Sequence, residues 1–219
     1  MNLKLKLLLV LFGSLSNSMV VAAQNNRDFD KRHNQCLDAI SENTENAYED
    51  ALRWKDDGGG YRAEHCVAMA LFGLERTFLA AKRLEKLGDD DYLPDKLRTD
   101  FYEQAADFYI ISDKANHAYK LTSRVIELYP QNIDIRISRA RAYVKLGRYD
   151  YSERELDNVI TLSPNHAAAF RYRADTKLRQ NNFDGALSDI ETSLELDPES
   201  IETALLRGEI REAIRLINK

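Results

Sequence analysis

The chain has 219 residues, of which 44% are hydrophobic and 31% charged, with a formal charge of −5. That length can bury a core without disulfide or metal staples, and the apolar content excludes an intrinsically disordered chain. Nine Gly and four Pro are too few for collagen-like or turn-rich β architectures, and the abundance of strong helix formers implies an all-α protein. The basic residues form no clustered block, which disfavours a nucleic-acid binder.

Residues 1–23 open with Lys4 and Lys6, continue through the apolar run Leu7–Phe12 and end on Val21-Ala22-Ala23. A cationic start, a short apolar segment and small residues at the end describe a secretory signal peptide, with cleavage expected after Ala23. Ser14, Ser16, Asn17 and Ser18 interrupt the run well short of the ~20 apolar residues of a membrane span, so no stable membrane span is expected. No Asn-x-Ser/Thr sequon occurs, which favours a bacterial secreted protein and therefore the periplasm.

Beyond residue 23 the chain follows a ruler. Pro130, Pro164 and Pro198 are spaced by 34 residues, each closing a stretch of helical rhythm such as Val159-Ile160-Thr161-Leu162-Ser163. Proline lacks the backbone donor and biases its predecessor away from helix, so it separates one helix pair from the next. In chain order, segment 28–60 is a divergent first helix pair, with Ala47, Ala51 and Trp54 on one face and a break at Asp56-Asp57-Gly58-Gly59-Gly60. Segment 61–94 is a second, with Ala68, Leu71, a turn near Glu75-Arg76-Thr77, then Ala80, Leu84 and Pro94, followed by a four-residue insertion. Segments 99–132, 133–166 and 167–200 superpose. Small residues recur at Ala106/Ala140/Ala174 and Ala118/Ser152/Ala186, where antiparallel helices must approach closely. Ala115, Tyr149 and Phe183 follow the mid-repeat turn, Lys145-Leu146-Gly147-Arg148 in one copy and Gln180-Asn181-Asn182 in the next, where a Gly or an Asn supplies the left-handed cap. Residues 201–219 supply a C-terminal cap.

These residues resemble the tetratricopeptide repeat family over 99–200, with 24–98 as divergent N-terminal repeats. The resemblance implies an α-solenoid of antiparallel helix pairs, a superhelix closed by a capping helix. Arg139 and Arg173 stand where the family usually has Leu, and Arg136 where Tyr102 and Phe170 supply an aromatic in the other repeats, so a looser middle repeat is expected.

The family's groove positions, carried onto this chain, are Asp100, Glu103, Asp107 and Ile110 in one repeat. The next gives Asp134, Ile137, Arg141 and Val144, and the last Ala168, Arg171, Asp175 and Leu178. The resemblance thus implies a groove acidic at one end and basic at the other, with Ile110, Ile137, Val144 and Leu178 as an apolar stripe. An acidic or C-terminal peptide would be captured by Arg141 and Arg171. The Lys/Asn clamp with which some family members grip chaperone C-termini is not present.

Cys36 and Cys66, the only cysteines, are expected on the first helices of consecutive repeats. An oxidising compartment makes a disulfide the first reading. Free buried thiols, or zinc shared with His33 and His65, remain alternatives, the latter hindered because adjacent helical residues point about 100° apart. The Cys…His-Cys layout with Trp54 and the triple Gly also resembles divergent periplasmic tetratricopeptide proteins of bacteria. No phosphate loop surrounds Gly58-Gly59-Gly60, Asp89-Asp90-Asp91 lacks calcium-loop spacing, and no nucleophile–base arrangement or haem motif is present. The expectation is a non-catalytic, cofactor-free adaptor or assembly factor binding a protein or peptide. A small-molecule or metal carrier using the N-terminal His/Cys region is the alternative.

Overall fold

The computed structural model describes residues 27–217, so the signal-peptide reading of residues 1–23 lies outside the described residues. The described residues are helical throughout, without a strand, and contacts divide them into two compact units between Ala80 and Ala81.

The first unit holds α1 (residues 27–42), α2 (Thr44–Asp56) and α3 (Gly60–Gly73). Asn43 caps α2 by accepting from the Asn46 backbone N–H at 3.0 Å. The apolar face of α2 is buried as its periodicity requires: Ala47, Ala51 and Trp54 are each at most 2% exposed. α1 and α3 run side by side in the same direction, cross-linked along their length. Arg62 pairs with Asp30 at 2.6 Å, His33 Nε2 and His65 Nδ1 lie 2.9 Å apart, and Cys36 is disulfide-bonded to Cys66 with Cα atoms 6.3 Å apart. Gly59 is required at the α2–α3 turn. A Cβ there would stand 2.6 Å from both Trp54 Nε1 and the Ala63 methyl, and that indole N–H has no hydrogen-bond partner among the described residues.

The second unit contains the rest of α4 (Thr77–Gly88), then α5 (Asp95–Ile111), α6 (Ala115–Leu128), α7 (Ile133–Lys145), α8 (Tyr149–Leu162), α9 (Ala167–Arg179), α10 (Phe183–Leu196) and α11 (Ile201–Ile217). From α5 onward every helix packs on its chain neighbour, and α5, α7, α9 and α11 also touch in succession, which is solenoid stacking. The starts of α7 and α9 keep the 34-residue ruler, as do those of α6, α8 and α10. The insertion is absorbed by α5, which begins at Asp95 directly after Pro94. Ala106, Ala140, Ala174, Ala118, Ser152 and Ala186 all have 0% exposure, as their place at helix crossings demands.

Both classes of turn repeat their chemistry. Asp113, Gly147 and Asn181 have φ of 58°, 69° and 60°, and the next residue of each donates back five positions: Lys114 to Tyr109, Arg148 to Tyr143, Asn182 to Lys177. This is the Schellman closure of a helix end. Glu75 repeats it with Arg76 donating to Leu71. Between repeats, Asn132, His166 and Ser200 accept from the backbone N–H three residues on, at 2.9, 3.3 and 3.3 Å. His166, isolated in sequence, is thus a helix cap.

The middle repeat is not loosened by its arginines. Arg136 and Arg139 both reach Glu155, at 2.8 and 2.5 Å, and Glu155 is 6% exposed. One repeat later Arg173 and Lys177 converge on Asp189, 4% exposed, at 2.7 and 2.8 Å. Around these pairs Ile135, Ala140, Leu156 and Val159 have 0% exposure.

Candidate functional site

The first helices of successive repeats carry the site. On α5, Glu103, Asp107 and Ile110 fall at i, i+4 and i+7 and so share one face; on α7, Asp134, Arg141 and Val144 fall at i, i+7 and i+10, again on one side of the helix. Asp107 and Arg141 hold equivalent positions 34 residues apart and form an ion pair across α5 and α7. The Arg141 guanidinium lies 5.2 Å from the centre of the Tyr172 ring, and Arg171 lies 4.5 Å from it. A cleft of about 130 Å³ opens here, lined by Ile110, Arg141, Val144, Lys145, Tyr172, Asp175 and Arg179.

Of the groove residues expected from sequence, Asp107, Ile110, Arg141, Val144 and Asp175 are therefore brought together, while Asp100 and Glu103 continue the same side of α5 toward its start. Ile137 and Leu178 go elsewhere. Ile137 is 6% exposed among Ala140, Leu156, Val159 and Ala169, and Leu178 packs against the cluster of Ala174, Ala186, Ile190 and Ile210. The apolar part of the cleft is Ile110, Val144 and the Tyr172 ring. Lys145, Tyr172 and Arg179 were not among the expected residues; Tyr172 neighbours Arg171 in an Arg-Tyr-Arg run, whose aromatic was a visible signal.

Electrostatically the two ends differ. Glu103 is pushed up to about 7, first by burial and then by repulsion from Asp134, Asp107 and Asp100, against which Lys96 acts weakly. Burial also raises Asp107, opposed by Arg141. Toward α9 the cations are answered locally, Arg179 lying 3.0 Å from Asp175.

In the first unit, a larger cleft of about 450 Å³ is lined by Arg32, Gln35, Cys36, Asp50, Arg53, Trp54 and Asp57 among others. Arg53 pairs with Asp50, and Arg32 stacks over Trp54 at 4.8 Å. His33 is lowered to about 4 by burial, then by His65 and Arg62, with Asp30 opposing. Both cysteines are consumed in the disulfide, and among the described residues no group of three or more His, Cys, Asp or Glu is arranged to hold a metal ion. No described helix is long and apolar enough to cross a membrane.

Comparison with known proteins agrees with this architecture. The tetratricopeptide repeat family matches residues 137–201. RNA polymerase II-associated protein 3 of Xenopus tropicalis is 25% identical over 154 residues, covering 70% of this chain and 22% of that protein. The DnaJ homolog subfamily C member 7 homolog of Dictyostelium discoideum is 29% identical over 109 residues, covering 48% and 20%. The chain thus spans about a fifth of the length of these curated relatives. Among solved structures, a thermophilic tetratricopeptide protein of Thermus thermophilus superposes with a TM-score of 0.65 at 14% identity, covering 83% of this chain and 98% of its own. YrrB, described as a tetratricopeptide protein with an unusual peptide-binding site, superposes at 0.54 and 16% identity, covering 78% and 88%. With the ruler, the Schellman turns and the buried small residues all in register, residues 137–201 match the tetratricopeptide repeat family and the described helices have the fold of tetratricopeptide repeat proteins.

Proposed function

We propose that this chain is a non-catalytic protein-interaction module, an adaptor or assembly factor of the bacterial periplasm, that seats a peptide or helix on its α5/α7/α9 face. The observation that carries the reading is the cleft itself: side chains from three successive first helices, at equivalent repeat positions, surround one opening with an apolar floor and a charged rim. Such a surface suits an elongated partner, whose apolar side chains supply affinity while charges set direction. YrrB, of similar fold, is described as having a peptide-binding site, which supports the reading. Placement in the periplasm rests on the character of residues 1–23 and on the paired cysteines.

A photo-crosslinking side chain introduced at Lys145, with the exposed Lys120 on α6 as control, tests this in cells. Covalent products at Lys145 and none at Lys120 are expected, on protein whose first residue is Gln24. Equal products at both positions would overturn the groove, and an unprocessed N-terminus would overturn the compartment.

A further inference from the structure

Charges along the groove are spent unevenly. Arg141 is taken by Asp107 and lies over Tyr172, Arg179 is held by Asp175, and Arg173 and Lys177 are turned inward to Asp189. An acidic partner entering the cleft must compete with carboxylates already on these cations, and among the described residues of the groove only Lys145 and the ring-stacked Arg171 carry none. At the α5/α7 end the opposite holds. Asp100 has Lys96 at 2.5 Å, but Glu103 and the exposed Asp134 have neither a hydrogen bond nor an ion pair among the described residues. Glu103 is half-withdrawn from water and crowded by Asp134, Asp107 and Asp100, so an arriving cation relieves repulsion and displaces no existing partner.

We propose that the groove's occupant is a basic segment, with a Lys or Arg seated against Glu103 and Asp134 and an apolar side chain against Ile110, Val144 and Tyr172. This rests on the peptide-binding reading above and adds its charge. Seven residues of helix separate Glu103 from Ile110, a rise of about 10 Å, which an extended peptide spans in about three residues. The cation and the apolar anchor should therefore stand about three positions apart.

The experiment is an array of random, end-blocked decapeptides probed with the chain from Gln24 onward, its Val144→Gln variant and its Glu103→Gln/Asp134→Asn variant, each first shown to melt cooperatively. Peptides whose binding is lost in Val144→Gln are the groove binders. These are expected to be enriched in Lys or Arg about three positions from an apolar residue, with at least a fivefold loss of that enrichment in Glu103→Gln/Asp134→Asn. Groove binders rich in Asp or Glu, or an enrichment unchanged in the double variant, would overturn the basic occupant while leaving peptide binding intact. If no peptide depends on Val144, the groove reading falls and the basic occupant with it.

Discussion

The first full repeat and the two that follow solve one packing problem with different chemistry. Where the α5/α6 pair has Tyr102, Ala105 and Leu121, the α7/α8 pair has Arg136, Arg139 and Glu155 at the equivalent positions, and the α9/α10 pair has Phe170, Arg173 and Asp189. Tyr102 is 1% exposed and Ala105 0%, whereas Glu155 and Asp189, at 6% and 4%, are also buried but must carry two cations each. An apolar joint tolerates independent change, while a buried carboxylate ties its partners into a unit that fails together.

The largest effect should come from breaking that unit. Glu155→Ala leaves Arg136 and Arg139 without their shared carboxylate and is expected to cost about 3 kcal/mol in urea unfolding. Transplanting the first repeat's solution as Arg136→Tyr/Arg139→Ala/Glu155→Leu should recover most of that loss, because a well-packed apolar set often replaces a buried ion cluster without penalty. If the triple variant is as unstable as Glu155→Ala, the repeats are not interchangeable and the comparison fails. Next, Ala174→Phe should cost about 1–3 kcal/mol, since a fully buried helix crossing has no space for a ring. Its effect should be larger than that of Arg171→Ala, which removes only a stacking contact with Tyr172.

A smaller effect distinguishes the groove from the joints. Glu103 is raised in the folded protein to about 7, from an ordinary carboxylate value of 4.5. The folded state therefore holds the proton more tightly than the unfolded state, and stability declines as pH rises from about 4.5 to about 7. Glu103→Gln should accordingly stabilise the chain by about 1–2 kcal/mol at pH 8 and by nothing measurable at pH 4. A pH-independent gain would show that Glu103 is not strained by its charge. The smallest effect belongs to the caps: Asn132→Ala should cost about 1 kcal/mol, and His166→Ala less, because its 3.3 Å contact is longer than the 2.9 Å bond of Asn132.

How much of this could be read without coordinates follows from what constrains each residue. Proline spacing and small crossing residues are imposed by local sterics, so the register of residues 99–200 was legible, down to the Gly or Asn that the mid-repeat turn needs in its left-handed position. Asp113 and Glu75 take the same conformation without being Gly or Asn, and only the preserved ruler hinted at them. The arginines at 136, 139 and 173 read as packing faults because their carboxylates lie 16 to 19 residues away on the second helix, a pairing fixed by helix crossing. The groove was legible as a set of positions but not as a charge state. Asp107 neutralises Arg141 from the previous repeat, and Ile137 and Leu178 turn into the core, both consequences of how neighbouring repeats stack.

The bond between Cys36 and Cys66 has a mechanical corollary. Residues 36 and 66 enclose a sequence separation of 30, and a force applied to the two ends of the molecule passes through the sulfur bridge instead of through the chain between them. In a single-molecule stretching experiment α2 and its flanking turns would stay slack at full extension. The trace would fall short of the full contour length by about 100 Å, the span of that many extended residues. Adding a thiol reductant during the pull should release the missing length in one step.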